Sequence, residues 1–331
     1  MTVTIKDIAK QAGVSITTVS RAMNGYRDIH PETRKRVLQI AEEMNYRPSG
    51  IARSLVMKQS KTIGLIISEM TRSRTGHHFL FDVISGVNDR AMALGYDLIL
   101  ATTSPDEQHM VPYMELCHRR QLDGVILSGV RTKDPYLQEV LDSAIPCVLI
   151  DVPLLGKTCS HITLDNRKGA QQAVEYLIRS GHRRIGFING HREAFVSEER
   201  LLGYQHAMEE AGLKGEWVFY GDFDDASGRE GVCHLLEKDP DLTAFFCASD
   251  LMAVGAMREL EGMGKKVPQD VSVIGFDDID LAHYVTPMLS TVHQPRYRFG
   301  TQAVDVIVGM LEGEQGKSVV LEPELLIRES T

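Results

Sequence analysis

From Lys61 onward the sequence alternates between short apolar runs rich in β-branched residues and longer amphipathic stretches. The runs are TIGLIIS, YDLILA, GVILS, PCVLID, RIGFIN, AFFCASD and VSVIGFDD. They are apolar along nearly their whole length, as strands covered on both faces are, and each precedes about 15–25 residues of helical pattern. Four such units precede Asp151 and others follow Asn166. This predicts an α/β body of two doubly wound lobes rather than one very wide sheet.

Polar residues follow several of these runs, where a ligand site is expected. Ligands of doubly wound sheets bind at the carboxyl ends of the strands. Ser249 and Asp250 follow the run AFFCA, and Asp277 closes the run VSVIGF. Carboxylates at such positions accept paired hydroxyl groups, so the sequence predicts a polar small-molecule site at the strand ends.

The first 46 residues have a different pattern, that of three short helices. A start resembling a capping box at Thr4 precedes a helix that ends at Gly13, Ser15 caps a second helix, and Pro31 begins a third that ends near Tyr46. Two helices of about eight residues joined by a glycine-containing turn are typical of the helix-turn-helix unit. The second helix of that unit lies in the major groove of DNA.

The charge distribution sets this head apart from the body. Residues 1–60 contain ten Lys or Arg against five Asp or Glu, a net charge of +5. Because the whole chain has a net charge of −9, residues 61–331 carry −14. A basic segment on an acidic protein indicates contact with a polyanion, although charge alone is equally compatible with a solvated basic face.

The segments TIKDIAKQAGVSITTVSRAMNG and PETRKRVLQIAEEMNYRPSGIARSL closely resemble the DNA-binding head of the lactose-repressor (LacI/GalR) family. By this resemblance Ile16, Thr17 and Arg21 occupy the base-reading positions of the recognition helix. Arg21 can bind guanine O6 and N7 in a bidentate way, whereas Ile16 has the alternative of being a packed apolar residue. The implied phosphate contacts are Thr4, Ser15, Thr18, Asn24 and Arg34.

The resemblance divides the chain into a head (1–46), a hinge helix with its linker (47–60) and an effector-binding and dimerisation body (61–331). In the family the hinge helix folds when two subunits dock on DNA and inserts a leucine into the minor groove, a position that Leu55 holds here. Ala52 of the same helix is a further DNA-contact candidate. The alternative is that Leu55 packs on the core.

The resemblance continues through the body and implies a periplasmic-binding-protein-like fold with three crossovers between the lobes. It implies that Arg200 binds hydroxyl or carboxylate groups of an effector and that Phe223 stacks on it. The other implied effector residues are Phe79, Asp165, Ser249, Asp250 and Asp277. Structural alternatives remain open: an ion pair for Arg200, core packing for Phe223, a helix cap for Asp250 and a turn or hinge role for Asp277.

One stretch, EMTRSRTGHHFLFDVISG, departs from the family pattern. His77 and His78 stand where Asn and Pro are common, and Arg72 and Arg74 add positive charge. An acidic or phosphorylated sugar is therefore a possible effector, and a solvated loop is the alternative. Nothing completes a zinc-ligand set around the two histidines, so no metal is expected.

Other classes of protein fit the sequence poorly. It has no G-x-G-x-x-G, Walker, G-x-S-x-G or HExxH motif, which disfavours a dehydrogenase or sugar kinase, and we expect no catalytic residue and no cofactor. A sugar-binding transport protein would need an export signal, which MTVTIKDIAKQ does not resemble, and no run reaches the roughly 18 apolar residues of a membrane span. Five cysteines without C-x-x-C spacing indicate buried thiols in a reducing cytoplasm.

These observations predict a homodimeric DNA-binding transcriptional regulator that represses a carbohydrate-utilisation operon. Its partners would be a near-palindromic operator in double-stranded DNA and a small sugar-like effector bound between the lobes. The sequence leaves open whether the effector acts as inducer or corepressor, and whether the protein is an activator.

Overall fold

The computed structural model separates the chain into two compact units, Met1–Lys61 and Thr62–Thr331. It describes residues 3–23, 26, 28–46, 59–68 and 77–331, with only the backbone of 77–79. Most of the predicted hinge helix, including Ala52 and Leu55, lies outside the described residues, as does Asn24.

The head contains the three predicted helices, α1 (Ile5–Ala12), α2 (Ile16–Met23) and α3 (Pro31–Glu43). The Asp7 carboxylate accepts from the backbone N–H of Thr4 at 2.9 Å and from its hydroxyl at 2.7 Å, which fixes the start of α1. Gly13 ends this helix with φ of +65°, a conformation that glycine adopts without steric cost. The small apolar core between the helices consists of Ile8, Ala9, Ala12, Val19, Ala22, Val37 and Ala41.

The strands of the body are short and lie in the order that the apolar runs predict. They are β1 (Thr62–Ser68), β2 (Asp97–Thr103), β3 (Gly124–Ser128), β4 (Cys147–Ile150), β5 (Cys159–Leu164), β6 (Ile185–Asn189), β7 (Val218–Tyr220), β8 (Ala244–Cys247), β9 (Ser272–Asp277), β10 (Ser290–His293), β11 (Ser318–Leu321) and β12 (Glu324–Leu326). Seven of the twelve coincide with the seven runs, so β5, β7, β10, β11 and β12 were missed.

Helices connect most of these strands. They are α4 (His77–Ala93), α5 (Pro105–Met110), α6 (Tyr113–Arg120), α7 (Pro135–Asp142), α8 (Asn166–Arg179), α9 (Phe195–Glu210), α10 (Asp225–Lys238), α11 (Asp250–Gly262), α12 (Leu281–Tyr284) and α13 (Arg296–Leu311).

The strands of the described residues form two six-stranded sheets, which confirms the two predicted lobes. The order is β11-β5-β4-β3-β1-β2 in the first lobe and β12-β10-β9-β8-β6-β7 in the second. All pairings are parallel except that of β12 with β10. The chain passes between lobes after β5, after β10 and after β11, which gives the three crossovers implied by the family resemblance.

Central strands are apolar because helices cover both faces of each sheet. Every residue of β3, β4, β6 and β8 is buried. The expectation that all strands are covered in this way is wrong for β2, where Leu100 is 46% exposed. β2 pairs only with β1 and forms an edge of its sheet, and an edge strand is less enclosed than a central one.

The five cysteines are free thiols, all buried except the half-buried Cys233. Among the residues described, no helix is both long and apolar enough to cross a membrane.

Candidate functional site

Helix α2, the predicted recognition helix, exposes Ile16 and Thr17 and leaves Thr18 and Arg21 half-buried. Ile16 is 44% exposed, so it is not a packed core residue, and Thr17 is exposed beside it. The Ser15 hydroxyl accepts from the backbone N–H of Thr18 at 3.0 Å and lies 2.8 Å from the Thr18 hydroxyl. This cap orients the start of α2. Of the other predicted phosphate contacts, Thr4 and Arg34 are exposed on the same unit.

Arg21, the third predicted base reader, lies near the end of α2 and is held by neighbours in the head. Its Nη2 atom lies 2.5 Å from Oδ2 of Asp28, and its guanidinium lies 4.9 Å from the centre of the Tyr26 ring. The side chain of Arg21 is nevertheless 43% exposed.

The body contains a cavity of about 270 Å³ between the carboxyl ends of the two sheets, where a ligand site was expected. The first lobe contributes Leu80, Ser128, Gly129, Val130, Ile150, Asp151 and Val152, and the second lobe contributes His191, Ala194, Phe195, Val196, Arg200, Phe223, Ser249, Leu251, Asp277, Ile279 and Gln294. Apolar side chains form most of the wall and a few polar groups converge on the space, which is typical of small-molecule sites.

Arg200 of α9 is the cation of this cavity wall and is only 3% exposed. Its Nε donates to the Asn166 side-chain oxygen at 2.8 Å, and its Nη1 donates to the carbonyl of Ala248. Its guanidinium lies over the Phe276 ring, 3.7 Å from the ring centre. Burial lowers the pKa of Arg200, whereas the charges of nearby aspartates oppose that shift. The effector-binding role of Arg200 stays a prediction, and the structure adds that this side chain lines the cavity.

Asp277 ends β9 and lines the cavity beside Gln294. The Gln294 amide donates to Oδ1 of Asp277 at 2.6 Å, and the buried carbonyl oxygen of Gln294 has no hydrogen-bond partner among the described residues. Burial raises the pKa of Asp277 to about 6 although the charge of Arg200 opposes this. The Gln294 carbonyl oxygen is therefore one hydrogen-bond acceptor in the cavity wall that the described residues leave unused.

Asp151 directly follows β4 and brings a second carboxylate into the cavity wall from the first lobe. Its Oδ1 accepts from the Thr163 hydroxyl at 3.1 Å. Burial raises its pKa to about 6, with Arg200 opposing the shift. The sequence prediction missed this residue, although its position after the run PCVLI matches the strand-end rule that identified Asp277.

Phe223 and Ser249 also line the cavity, as the sequence prediction requires. Phe223 has φ of +61°, and its ring meets the His191 ring edge-on at a centroid distance of 5.4 Å. A side chain at Gly190 would overlap the Phe223 ring, so only glycine allows this close approach. The Ser249 hydroxyl caps α11 by accepting from the backbone N–H of Met252 at 3.3 Å.

Two predicted effector residues lie outside the cavity wall. Asp165 caps α8 by accepting from the backbone N–H of Lys168 at 3.0 Å. Asp250 is fully buried and accepts from the backbone N–H of Ile279 at 2.8 Å and from the Thr291 hydroxyl at 2.5 Å. Its bonds support the loop after β9 rather than face the cavity. Burial and the charge of nearby Asp277 raise the pKa of Asp250 well above its usual range.

The side chain of Phe79 lies outside the described part of the chain, as do the side chains of His77 and His78. The next residue, Leu80, lines the cavity. Within the described ranges no group of three or more His, Cys, Asp or Glu side chains could hold a metal ion.

Contacts next to the cavity join the two lobes. Glu193, in the loop after β6, lies 3.2 Å from Arg131 Nη1 and 3.2 Å from Lys133 Nζ, both in the loop after β3. The Glu193 carbonyl also accepts from the backbone N–H of Thr132 at 3.0 Å. On another side, Arg296 at the start of α13 donates to the Asp277 carbonyl at 2.7 Å.

Comparison with known families identifies both parts of this arrangement. Residues 4–49 match the model described as bacterial regulatory proteins, lacI family, and residues 174–331 match a periplasmic binding protein-like domain. The ribose operon repressor of Haemophilus influenzae is 37% identical over 99% of this chain and 98% of its own length.

The chain belongs to the lacI family of bacterial regulatory proteins.

Other relatives of this LacI-family regulator also match over nearly their whole length. The HTH-type transcriptional repressor PurR of Vibrio vulnificus is 34% identical over 99% of this chain and 98% of its own. Among solved structures, the complex of the transcriptional regulator CelR with cellobiose has a TM-score of 0.76 and 32% identity over 99% of this chain and 100% of that one. The lac repressor dimer bound to operator and the anti-inducer ONPF has a TM-score of 0.83 and 26% identity over 100% of this chain and 99% of that one.

The family assignment confirms the predicted fold, a helix-turn-helix head with a periplasmic-binding-protein-like body of two lobes. It also confirms that the chain is a DNA-binding transcriptional regulator and not a dehydrogenase or a sugar kinase. The roles of individual side chains and the boundaries at residues 46 and 60 stay predictions.

Proposed function

We propose that this LacI-family regulator represses a carbohydrate-utilisation operon from the cytoplasm and is controlled by a sugar-like effector bound in the cavity between its lobes. The observation that carries this proposal is the cavity itself, which combines two carboxylates and a guanidinium with an aromatic side chain at the ends of parallel strands. Carboxylates accept hydroxyl pairs and an aromatic ring covers C–H faces, so this set suits a polyhydroxylated ligand. The ribose operon repressor and the CelR–cellobiose complex among the relatives agree with it.

The charges of the cavity favour an uncharged effector over a phosphorylated or acidic one. Among the described residues of the cavity wall, Asp151 and Asp277 are accompanied by one cation, Arg200. Two nitrogens of Arg200 already donate to Asn166 and to the Ala248 carbonyl, which leaves less of the guanidinium for an anion. Bringing a phosphate beside these two half-buried carboxylates would add like-charge repulsion, which water screens less in a cavity than in bulk solvent. The ligand is therefore expected to donate hydrogen bonds, including one to the Gln294 carbonyl oxygen, which has no partner within the described part of the chain.

In the head, the exposed Ile16 and Thr17 and the half-buried Arg21 are proposed to read base edges, and Leu55 of the predicted hinge helix is proposed to enter the minor groove. The proposed phosphate contacts are Thr4, Ser15, Thr18, Asn24 and Arg34, with Ala52 as a further contact in the hinge.

The proposed functional unit is a homodimer, whose two-fold symmetry would match a near-palindromic operator. α4 and α13 pack against each other in the first lobe, and they expose Phe81 (70%), Met92 (68%) and Tyr297 (48%). Large exposed apolar side chains on neighbouring helices are typical of an interface. The lac repressor, a structural neighbour, is a dimer in its operator complex.

A thermal-shift screen of the full chain tests the effector proposal. The probes are D-ribose, D-glucose and cellobiose, each compared with its phosphorylated or acidic derivative. A ligand at 100 times its Kd stabilises the protein by about 2.7 kcal/mol through mass action. We expect a neutral sugar to raise the melting temperature and Asp277→Ala to abolish that rise. If only the phosphorylated derivatives raise the melting temperature, the proposed preference for an uncharged effector is wrong.

Gel-shift titration of the full chain on DNA fragments recovered by selection tests the repressor proposal. Specific binding should weaken steeply with salt because Lys and Arg release counterions from phosphates. Addition of the sugar that shifts the melting temperature should change the DNA affinity, because linkage makes the two ligands affect each other equally. Weaker DNA binding would identify an inducer and tighter binding a corepressor.

A further inference from the structure

The guanidinium of Arg21 is constrained on several sides within the head. Nη2 lies 2.5 Å from Asp28 Oδ2, the Tyr26 ring lies 4.9 Å from Cζ, and Nε is buried without a hydrogen-bond partner among the described residues. One edge of the planar group is therefore turned toward the protein. Nη1 and the second N–H of Nη2 are the donors that the contact with Asp28 leaves for a ligand.

Recognition of guanine requires a defined orientation of the terminal N–H groups of Arg21. Bidentate binding to O6 and N7 needs two parallel N–H groups in the plane of the base, and the long arginine side chain otherwise samples many orientations. A carboxylate on Nη2 and an aromatic ring beside the group reduce that freedom before DNA is bound. Restricting a binding group in advance lowers the entropy lost on association.

We propose that Asp28 is a positioning residue for Arg21 and thereby determines how strongly the head discriminates at one guanine of its operator. This inference rests on the proposed base-reading role of Arg21. Neither the charge pattern nor the helix spacing of the sequence indicated Asp28.

The negative charge of Asp28 has a second consequence. Residues 1–60 carry a net charge of +5, and within this basic segment a carboxylate beside α2 repels phosphates and weakens binding to every DNA sequence. Asp28 therefore reduces non-specific affinity while it improves discrimination. Since the side chains of Arg21 and Asp28 are 43% and 53% exposed, the pair is screened by water and the expected effect is modest.

The test begins with the selection of DNA duplexes from a random library by the full chain. The Kd is then measured for the selected site and for a site in which another base pair replaces the guanine pair contacted by Arg21. The variants are Arg21→Ala, Asp28→Asn, Asp28→Glu and the charge control Glu32→Gln. Glu32 is an exposed acidic residue in the first turn of α3, so its substitution removes the same charge from the same head. Circular dichroism verifies that each variant is folded.

We expect Arg21→Ala to relax the selected sequence at one guanine and Asp28→Asn to reduce discrimination at that same base pair by about two- to fivefold. Both Asp28→Asn and Glu32→Gln should tighten non-specific binding, but Glu32→Gln should leave discrimination unchanged. Asp28→Glu, which keeps the carboxylate, should discriminate better at this base pair than Asp28→Asn does.

Equal discrimination by Asp28→Asn and Glu32→Gln would overturn the positioning role. Improved discrimination by Asp28→Asn would also overturn it, because Asp28 would then cover Arg21 rather than orient it. If Asp28→Asn relaxes the selected sequence at a guanine that Arg21→Ala does not affect, the inference loses its basis. Failure of the unmodified protein to select any sequence would instead refute the proposed function.

Discussion

The Arg131 guanidinium of the first lobe and the Glu193 carboxylate of the second lie 3.2 Å apart next to the cavity. Lys133 reaches the same carboxylate, and these two cations lower the pKa of Glu193 through their hydrogen bonds and charges. Glu193 is flanked by residues that line the cavity, so this contact favours the arrangement in which the lobes enclose a ligand.

Glu193→Gln should therefore weaken effector binding without touching the effector. Exposed ion pairs are individually weak, so the loss of two of them predicts a rise in Kd of roughly two- to tenfold. Isothermal titration calorimetry with the sugar found in the thermal screen measures this change in Kd. Glu175→Gln is the matched control because its ion pair with Arg179 lies within α8. An equal effect of both substitutions would show that the inter-lobe position of Glu193 is irrelevant.

Asp151 makes the stability of the ligand-free protein depend on pH. Its pKa rises from 3.8 to about 6 in the folded state, so the folded protein binds the proton more tightly than the unfolded chain does. The resulting stabilisation is fully present below pH 4 and is lost as the pH rises through 6, by about 3 kcal/mol. Asp151→Asn keeps an uncharged side chain at every pH. It should be the more stable protein at pH 7.5 and equal to the unmodified protein near pH 4.

Urea unfolding of both proteins across this pH range provides the measurement, since ionisable groups common to both cancel in the difference. A difference in unfolding free energy that stays constant with pH would contradict the assigned burial of the Asp151 charge.

Asp278 is expected to show the opposite pH dependence. Burial opposes its ionisation, but hydrogen bonds from His293 at 2.9 Å and Arg328 at 2.6 Å lower its pKa to about 2. Its contribution is present above pH 4 and lost as the pH falls through 2. Asp278→Asn leaves the Arg328 charge buried without its carboxylate and should cost about 3 kcal/mol at pH 7 in urea unfolding. Asp280→Asn, at an exposed neighbouring position, should cost almost nothing.

Gly190→Ala should damage the cavity through a single methyl group. The added Cβ overlaps the Phe223 ring, which must move away from His191. We expect at least a tenfold loss of effector affinity and a destabilisation of about 1–3 kcal/mol, with DNA affinity in the absence of effector unchanged. Gly262→Ala is the control because open space surrounds that position. Retained effector affinity in Gly190→Ala would show that Phe223 is not part of the binding surface.

The apolar runs predicted the central strands well because burial on both faces leaves a clear signal. β10 and β11 were missed because short strands such as STVH and SVVL lack a long apolar run. The same limitation hid Gln294, which lies in the cavity wall just after β10. The position of Asp151 directly after the apolar run of β4 could have identified it as a cavity residue. The placement of Asp250 could not, because only the folded loop after β9 shows which amide its carboxylate accepts from.

The last two strands of the chain belong to different lobes, β11 at the edge of the first sheet and β12 at the edge of the second. A protein truncated after α13 would therefore lose an edge strand from both sheets at once, although only twenty residues are missing. Neither lobe can be cut out of the gene as one uninterrupted segment. An engineered sensor that retains only one lobe would need a new connection, and exchange of binding specificity between related regulators is better carried out with whole bodies.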